Sequence, residues 1–129
     1  SEPWSAEGIV GAYKTGTRFF IAENSRHFIG YIGIKAVIDE GYITNVAVFP
    51  QYRNRGAATA LIERVFGFAR EKQLAFVSLE VRASNIAAIT LYEKLGFKTE
   101  GRRRDFYRNP REDALIMTKR FEADEDTCH

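Results

Sequence analysis

The stretch from Tyr42 to Lys72, YITNVAVFPQYRNRGAATALIERVFGFAREK, limits the fold more than any other. An apolar, β-rich run, Tyr42 to Phe49, meets Pro50. A polar, basic loop from Gln51 to Arg55 leads to Gly56-Ala57-Ala58 and a long helical pattern. Ala57, Leu61, Val65 and Phe68 recur at helical spacing, and Ile62, Phe66 and Ala69 widen the stripe, so this helix is well buried. Ala75 to Val81 then reads as another strand. Strand, helix and strand make a βαβ unit, which requires the two strands to be parallel. The first residues of a helix have free N–H groups and a partial positive charge, which suit phosphate. Gly56 and the alanines leave no bulk between that backbone and a ligand, and Arg53 and Arg55 add charge. Two readings fit these residues: a pyrophosphate clamp, or a basic surface loop closing a βα unit.

The rest of the chain surrounds this unit. Ser1 to Tyr13 is a weak helix candidate, capped by Ser5 and weakened by Gly8 and Gly11. Phe19–Glu23 and His27–Val37 read as strands around a turn at Asn24-Ser25-Arg26. Gly30 and Gly33 in the second strand suggest close backbone approach or a bulge. Asp39-Glu40-Gly41 is a hairpin turn into Tyr42, so two antiparallel hairpins come first. Ser84-Asn85 starts a short helix, and Gly96 follows its end. Phe97–Arg104 and Asp113–Lys119 are strands around a loop containing Asn109-Pro110. The expected architecture is α+β: a mixed, mainly antiparallel central sheet with one parallel βαβ site and helices on both faces. Residues 1–121 read as one domain and 122–129 as an acidic tail.

Composition excludes several classes. With 45% hydrophobic residues the chain can bury a real core, and a net charge of +2 is too mild to argue for nucleic acid. No apolar run approaches a membrane span and no signal peptide is visible. The single cysteine, Cys128, allows no internal disulfide, which fits a reducing, cytoplasmic compartment. His27, His129 and Cys128 lack ligand spacing, so no metal site is read.

Glu80 is the most informative single residue. In AFVSLEV, Val77, Leu79 and Val81 share one face of the strand, and Phe76, Ser78 and Glu80 the other. A carboxylate there either pairs with a base such as Arg82 or Arg102, or sits in a cleft as a general base. Asn85 and Tyr92 stand two turns apart on one helix face. Asn85 can hydrogen-bond a ligand amide and Tyr92 can present its hydroxyl, although a tyrosine on a helix is most often half-buried packing. Arg102-Arg103-Arg104 alternates across a strand, either as a solvated edge or as an approach to an acidic or RNA-rich partner.

Together these residues resemble the Gcn5-related N-acetyltransferase superfamily. Arg53-Asn54-Arg55-Gly56-Ala57-Ala58 is similar to its Q/R-x-x-G-x-G/A motif, with alanine for the second glycine. LEVRASNIAAITLYEKLGF, Leu79 to Phe97, resembles more narrowly the bacterial branch that acetylates the N-terminal alanine of a ribosomal protein. Pro3-Trp4-Ser5, Val46-Ala47-Val48, Glu112-Asp113-Ala114 and Met117 match that branch too. The resemblance implies acetyl-CoA as cosubstrate, with no metal. It implies that Val46, Ala47 and Val48 line the acetyl and pantetheine arm, and that Arg53, Asn54, Arg55, Gly56, Ala57, Ala58 and Thr59 hold the pyrophosphate. It implies that Asn85 contacts the pantetheine region, with Glu80 as general base and Tyr92 as general acid. The implied partner is a protein N-terminus, with no membrane, no sequence-specific nucleic acid, and a monomer or weak homodimer. The strand and helix that the family carries ahead of Pro-Trp-Ser have no counterpart here.

Other readings stay open at this level. The same cofactor serves enzymes that acetylate lysine side chains, polyamines or antibiotic amines. A non-catalytic ribosome-binding module would use Arg102 to Arg104 and have no need of the clamp. A nucleotide-phosphate binder would need a Walker lysine or a three-glycine fingerprint, and neither is present.

Overall fold

The computed structural model describes residues 5–12, 16–24, 27–53 and 56–121. Among them the chain runs β1 (Ser5–Ala12), β2 (Thr17–Asn24), β3 (His27–Val37), β4 (Glu40–Val48), α1 (Ala57–Lys72), β5 (Phe76–Arg82), α2 (Ile86–Lys94), β6 (Lys98–Tyr107) and β7 (Glu112–Arg120). The seven strands form one sheet in the order β1-β2-β3-β4-β5-β7-β6. Neighbours are antiparallel except β4 and β5, which are parallel as the βαβ reading requires.

α1 buries Leu61, Ile62, Val65 and Ala69 completely against Phe20, Ile32, Ile34 and Val77 of the sheet. Burial of each such aliphatic side chain is worth roughly 1.5–3 kcal/mol. α2 joins the same core through Tyr92, whose ring lies 5.6 Å from Phe97. Phe97 in turn lies 5.8 Å from Phe66 of α1. Both described helices therefore cover one face. The opposite face carries Phe19, Tyr31, Phe28 and Phe49 in mutual ring contact, with no helix over it among the described residues. The expected helices on both faces are thus seen on one.

Three local expectations change. Residues 5–12 form strand β1, paired antiparallel with β2, instead of the helix expected over Ser1 to Tyr13. Gly8 and Gly11 weaken a helix, whereas Ile9-Val10 suits a strand and β2 offers an unpaired edge. The β3–β4 turn is tighter than expected: Val37 pairs with Glu40, and Ile38 takes φ 57°. β6 runs on to Tyr107, so the loop shrinks to residues 108–111. The reading of Gly30 and Gly33 holds. A Cβ on Gly33 would sit 2.7 Å from the Phe19 ring and 2.8 Å from Thr44 Oγ1. The β3–β4 register slips beside it, between Gly33 and Ile34, and leaves Thr44 as the extra residue.

Candidate active site

That bulge bends β4 away from β5. The parallel ladder holds only at Glu40–Phe76, Gly41–Val77 and Tyr42–Ser78, although β4 continues to Val48 and β5 to Arg82. Beyond Tyr42 the strands part, and a cavity of about 280 Å³ opens between them. Ile43 to Val46 line it from β4, Leu79 and Glu80 from β5, Tyr31 from β3 and Tyr92 from α2.

Alternation along β5 carries Glu80 to the face away from α1, as the sequence indicated. Its partner is neither Arg82 nor Arg102. Arg103 Nε forms an ion pair with Glu80 Oε2 at 2.6 Å. The sheet order explains the difference. β7 lies between β5 and β6, and Arg103 is the arginine of the run that shares Glu80's face. Arg102 faces the other way and pairs with Asp113 at 2.6 Å, and Arg82 pairs with Glu112 at 3.2 Å. Oε1 of Glu80 is the oxygen left to accept a proton or a water.

Tyr92 is 7% exposed and reaches the cavity from the helix side. Burial, and then the nearby Tyr107, push its pKa above the ordinary tyrosine value. It therefore keeps its proton through the neutral range and can donate it. Tyr107 is itself pushed up, first by burial and then by the Glu80 charge, while Arg82, 4.3 Å from its ring, acts in the opposite direction. Tyr107 belongs to the same electrostatic cluster. The sequence reading missed it, along with Tyr31, Thr44 and Asn45. Asn45 alone left a signal, as an amide inside an apolar strand.

The end of β4 leads to the phosphate-type site. Arg53 Nε donates to the Val48 carbonyl at 3.0 Å, tying the loop back to the strand. Gly56 precedes α1 at φ 86°, a left-handed conformation that favours glycine. The helix has no side-chain cap hydrogen bond at Gly56 and no acidic residue in its first turn, so nothing of its own first turn offsets the positive field of its N–H groups. These features fit an anionic pyrophosphate beside Arg53, Gly56, Ala57, Ala58 and Thr59; Asn54 and Arg55 lie outside the described residues. The cavity lining includes Val46, while Ala47 and Val48 continue the strand toward the loop. Asn85 is exposed and caps α2, accepting from the Ala88 N–H at 3.2 Å, and it is absent from the cavity wall.

Glu112-Asp113-Ala114 is structural. Glu112 accepts from the Ser84 N–H at 2.5 Å and from Arg82 at 3.2 Å, tying the β5–α2 turn to the β6–β7 hairpin. Asp113 accepts from the Asp105 N–H at 2.8 Å and from Arg102. Ser84 hydrogen bonds hold the Glu112 pKa below the usual carboxylate range, and the Asp105 N–H does the same for Asp113. Arg120 does so for Glu100. A carboxylate depressed in the folded state stabilises it above the unfolded pKa, and that contribution disappears as pH falls through the folded value. Acid titration followed by circular dichroism should therefore show stability falling below about pH 4.5. Glu112→Gln should flatten that fall.

The acetyltransferase (GNAT) family pattern matches residues 2–97. The chain belongs to this family. It is 38% identical over 120 residues to the [ribosomal protein bS18]-alanine N-acetyltransferase of Escherichia coli K12, covering 89% of this chain and 79% of that enzyme. The crystal structure of the ribosomal-protein-S18-alanine N-acetyltransferase from Escherichia coli superposes with a TM-score of 0.79 at 34% identity, over 89% of this chain and 75% of that one. A streptothricin acetyltransferase from Bacillus anthracis, crystallised with acetyl coenzyme A, superposes at 0.75 and 29% identity, over 85% of this chain and 65% of that one. This GNAT chain is an acetyl-CoA-dependent N-acetyltransferase. No described helix is long and apolar enough to cross a membrane, and no group of three or more His, Cys, Asp or Glu among the described residues could hold a metal ion.

Proposed function

We propose that the acceptor is a protein N-terminal α-amine, that of an alanine on a ribosomal protein, with Glu80 as base and Tyr92 as acid. One observation carries the roles: Glu80 and Tyr92, from different elements, line one cavity where β4 and β5 part. In the structural comparison, the higher identity to the S18-alanine enzyme (34%) than to the streptothricin acetyltransferase (29%) favours the peptide acceptor.

Acetyl-CoA supplies an activated acyl thioester, so no covalent enzyme intermediate is needed. Arg53 and the Gly56–Thr59 helix start hold its pyrophosphate, and the parted edge of β4 offers backbone groups to its arm. An α-amine has a pKa near 8, so about a tenth is neutral at pH 7, against almost none of a lysine near 10.4. Glu80 Oε1, directly or through a water, takes the proton that must leave the amine. β4 backbone N–H groups facing the gap stabilise negative charge that develops on the carbonyl oxygen. Tyr92 gives its proton to the departing sulfur.

The test incubates the protein and acetyl-CoA with an alanine-starting peptide that also contains lysine, and with the same peptide blocked at its N-terminus. Mass spectrometry should find one acetyl group on the free α-amine and none on the blocked peptide. Lysine acetylation of the blocked peptide at a comparable rate would replace the α-amine with a side-chain acceptor.

A further inference from the structure

Arg103 is not part of the cavity wall, yet its guanidinium holds one oxygen of a carboxylate that is. We infer that Arg103 is a positioning residue for acetyl transfer, fixing the Glu80 carboxylate so that Oε1 is presented to the acceptor amine. The inference rests on the reading of Glu80 as the base.

The geometry is specific to this arginine. β6 is the sheet edge, two strands from β5. Arg103 stands opposite Ala114 of β7, and Glu80 stands opposite Ile116. The Arg103 side chain therefore crosses β7 diagonally to reach Glu80. Ala114, fully buried on that face, is small enough to let the stem pass. The guanidinium carbon also lies 5.4 Å from the centre of the Phe106 ring, which limits its other orientations. Arg102 is committed to Asp113, and alternation directs it away from Glu80.

Exposure points to orientation as the purpose of the contact. The two side chains are 56% and 33% exposed, and ion pairs this open to water add little stability. A carboxylate without the contact would rotate about its last bond and present Oε1 to the cavity only part of the time. A base must lie within hydrogen-bond reach of the proton it removes, so lost orientation lowers turnover even when the base itself is intact.

The test measures kcat and KM for Arg103→Ala, Arg103→Lys, Glu80→Gln and the Arg103→Ala/Glu80→Gln double variant. Arg103→Ala should lower kcat roughly 10-fold or more, with an unchanged KM for acetyl-CoA and an unchanged thermal midpoint. Arg103→Lys should restore part of the loss. In the Glu80→Gln background, Arg103→Ala should cause no further fall, because the group it positions is already gone. Arg103→Gln keeps the stem over Ala114 and should reproduce the loss, which separates positioning from packing. Effects that multiply in the double variant, or an Arg103→Ala enzyme with normal kcat beside a crippled Glu80→Gln enzyme, would overturn this inference alone. A Glu80→Gln enzyme with normal kcat would remove the base reading, and the inference with it.

Discussion

Glu80→Gln is expected to lower kcat by about 100- to 10,000-fold, the usual contribution of a positioned general base. The amide has nearly the volume and shape of the carboxylate, so the cavity wall stays in place. It has no charge with which to take a proton from an ammonium. The side chain is one-third exposed, so the fold loses little. Arg103, more than half exposed, can return its guanidinium to water. Affinity for acetyl-CoA should hold, because the pyrophosphate site proposed at Arg53 and Gly56 lies on the loop and helix beyond β4 and makes no use of Glu80. The acid-side limb of the pH–rate profile should disappear, since the group whose protonation switches activity off is gone. An unaltered profile and rate would leave Glu80 as no more than the partner of Arg103. Tyr92→Phe provides the complementary test: lower turnover with acetyl-CoA affinity intact. The phenol it removes is held protonated by burial and by Tyr107, so the wild-type residue has a proton to give across the working range.

How much of this site the sequence reveals depends on how local each feature is. The period of two along β5 is local, and it placed Glu80 opposite Leu79 and Val81 correctly. The helical stripe of α1 is local, and it stands as read; the glycine before it takes the left-handed φ of 86°. The partner of Glu80 is not local. Choosing among Arg82, Arg102 and Arg103 requires knowing that β7 enters between β5 and β6, and that β6 slips register between Thr99 and Gly101. No pattern within either strand carries that information. Tyr31 joins the cavity from β3 for the same reason, through a pairing whose register is reset by a bulge. Residues 5–12 fail differently: a cap residue and weak helix propensity were outweighed by the open edge of β2. Glu112-Asp113 stood out in the sequence only as a match to a family branch, and in the structure the two carboxylates accept the Ser84 and Asp105 N–H groups and so hold the neighbouring turns.

The second large effect should come from Phe97→Ala, at a residue that performs no chemistry. Phe97 is 2% exposed and links the α1 ring of Phe66 to the α2 ring of Tyr92. Removing a fully buried phenylalanine side chain typically costs about 3–5 kcal/mol, from lost transfer energy and the cavity left behind. For a domain of this size that corresponds to a fall of about 10–20 °C in Tm, measurable by calorimetry. Gly96, just before it at φ 100°, fixes where the chain leaves α2, so the backbone cannot easily move in to fill the void. The cavity instead opens directly beside Tyr92, leaving its ring free to tilt away from the transfer site. Leu61→Ala is the control, because Leu61 is equally buried in α1 and is absent from the cavity wall. Both variants should lose stability. At a temperature where both remain folded, only Phe97→Ala should also lose kcat, with its KM for acetyl-CoA unchanged. Equal kcat in the two variants would show that α2 holds Tyr92 in place without the Phe97 ring.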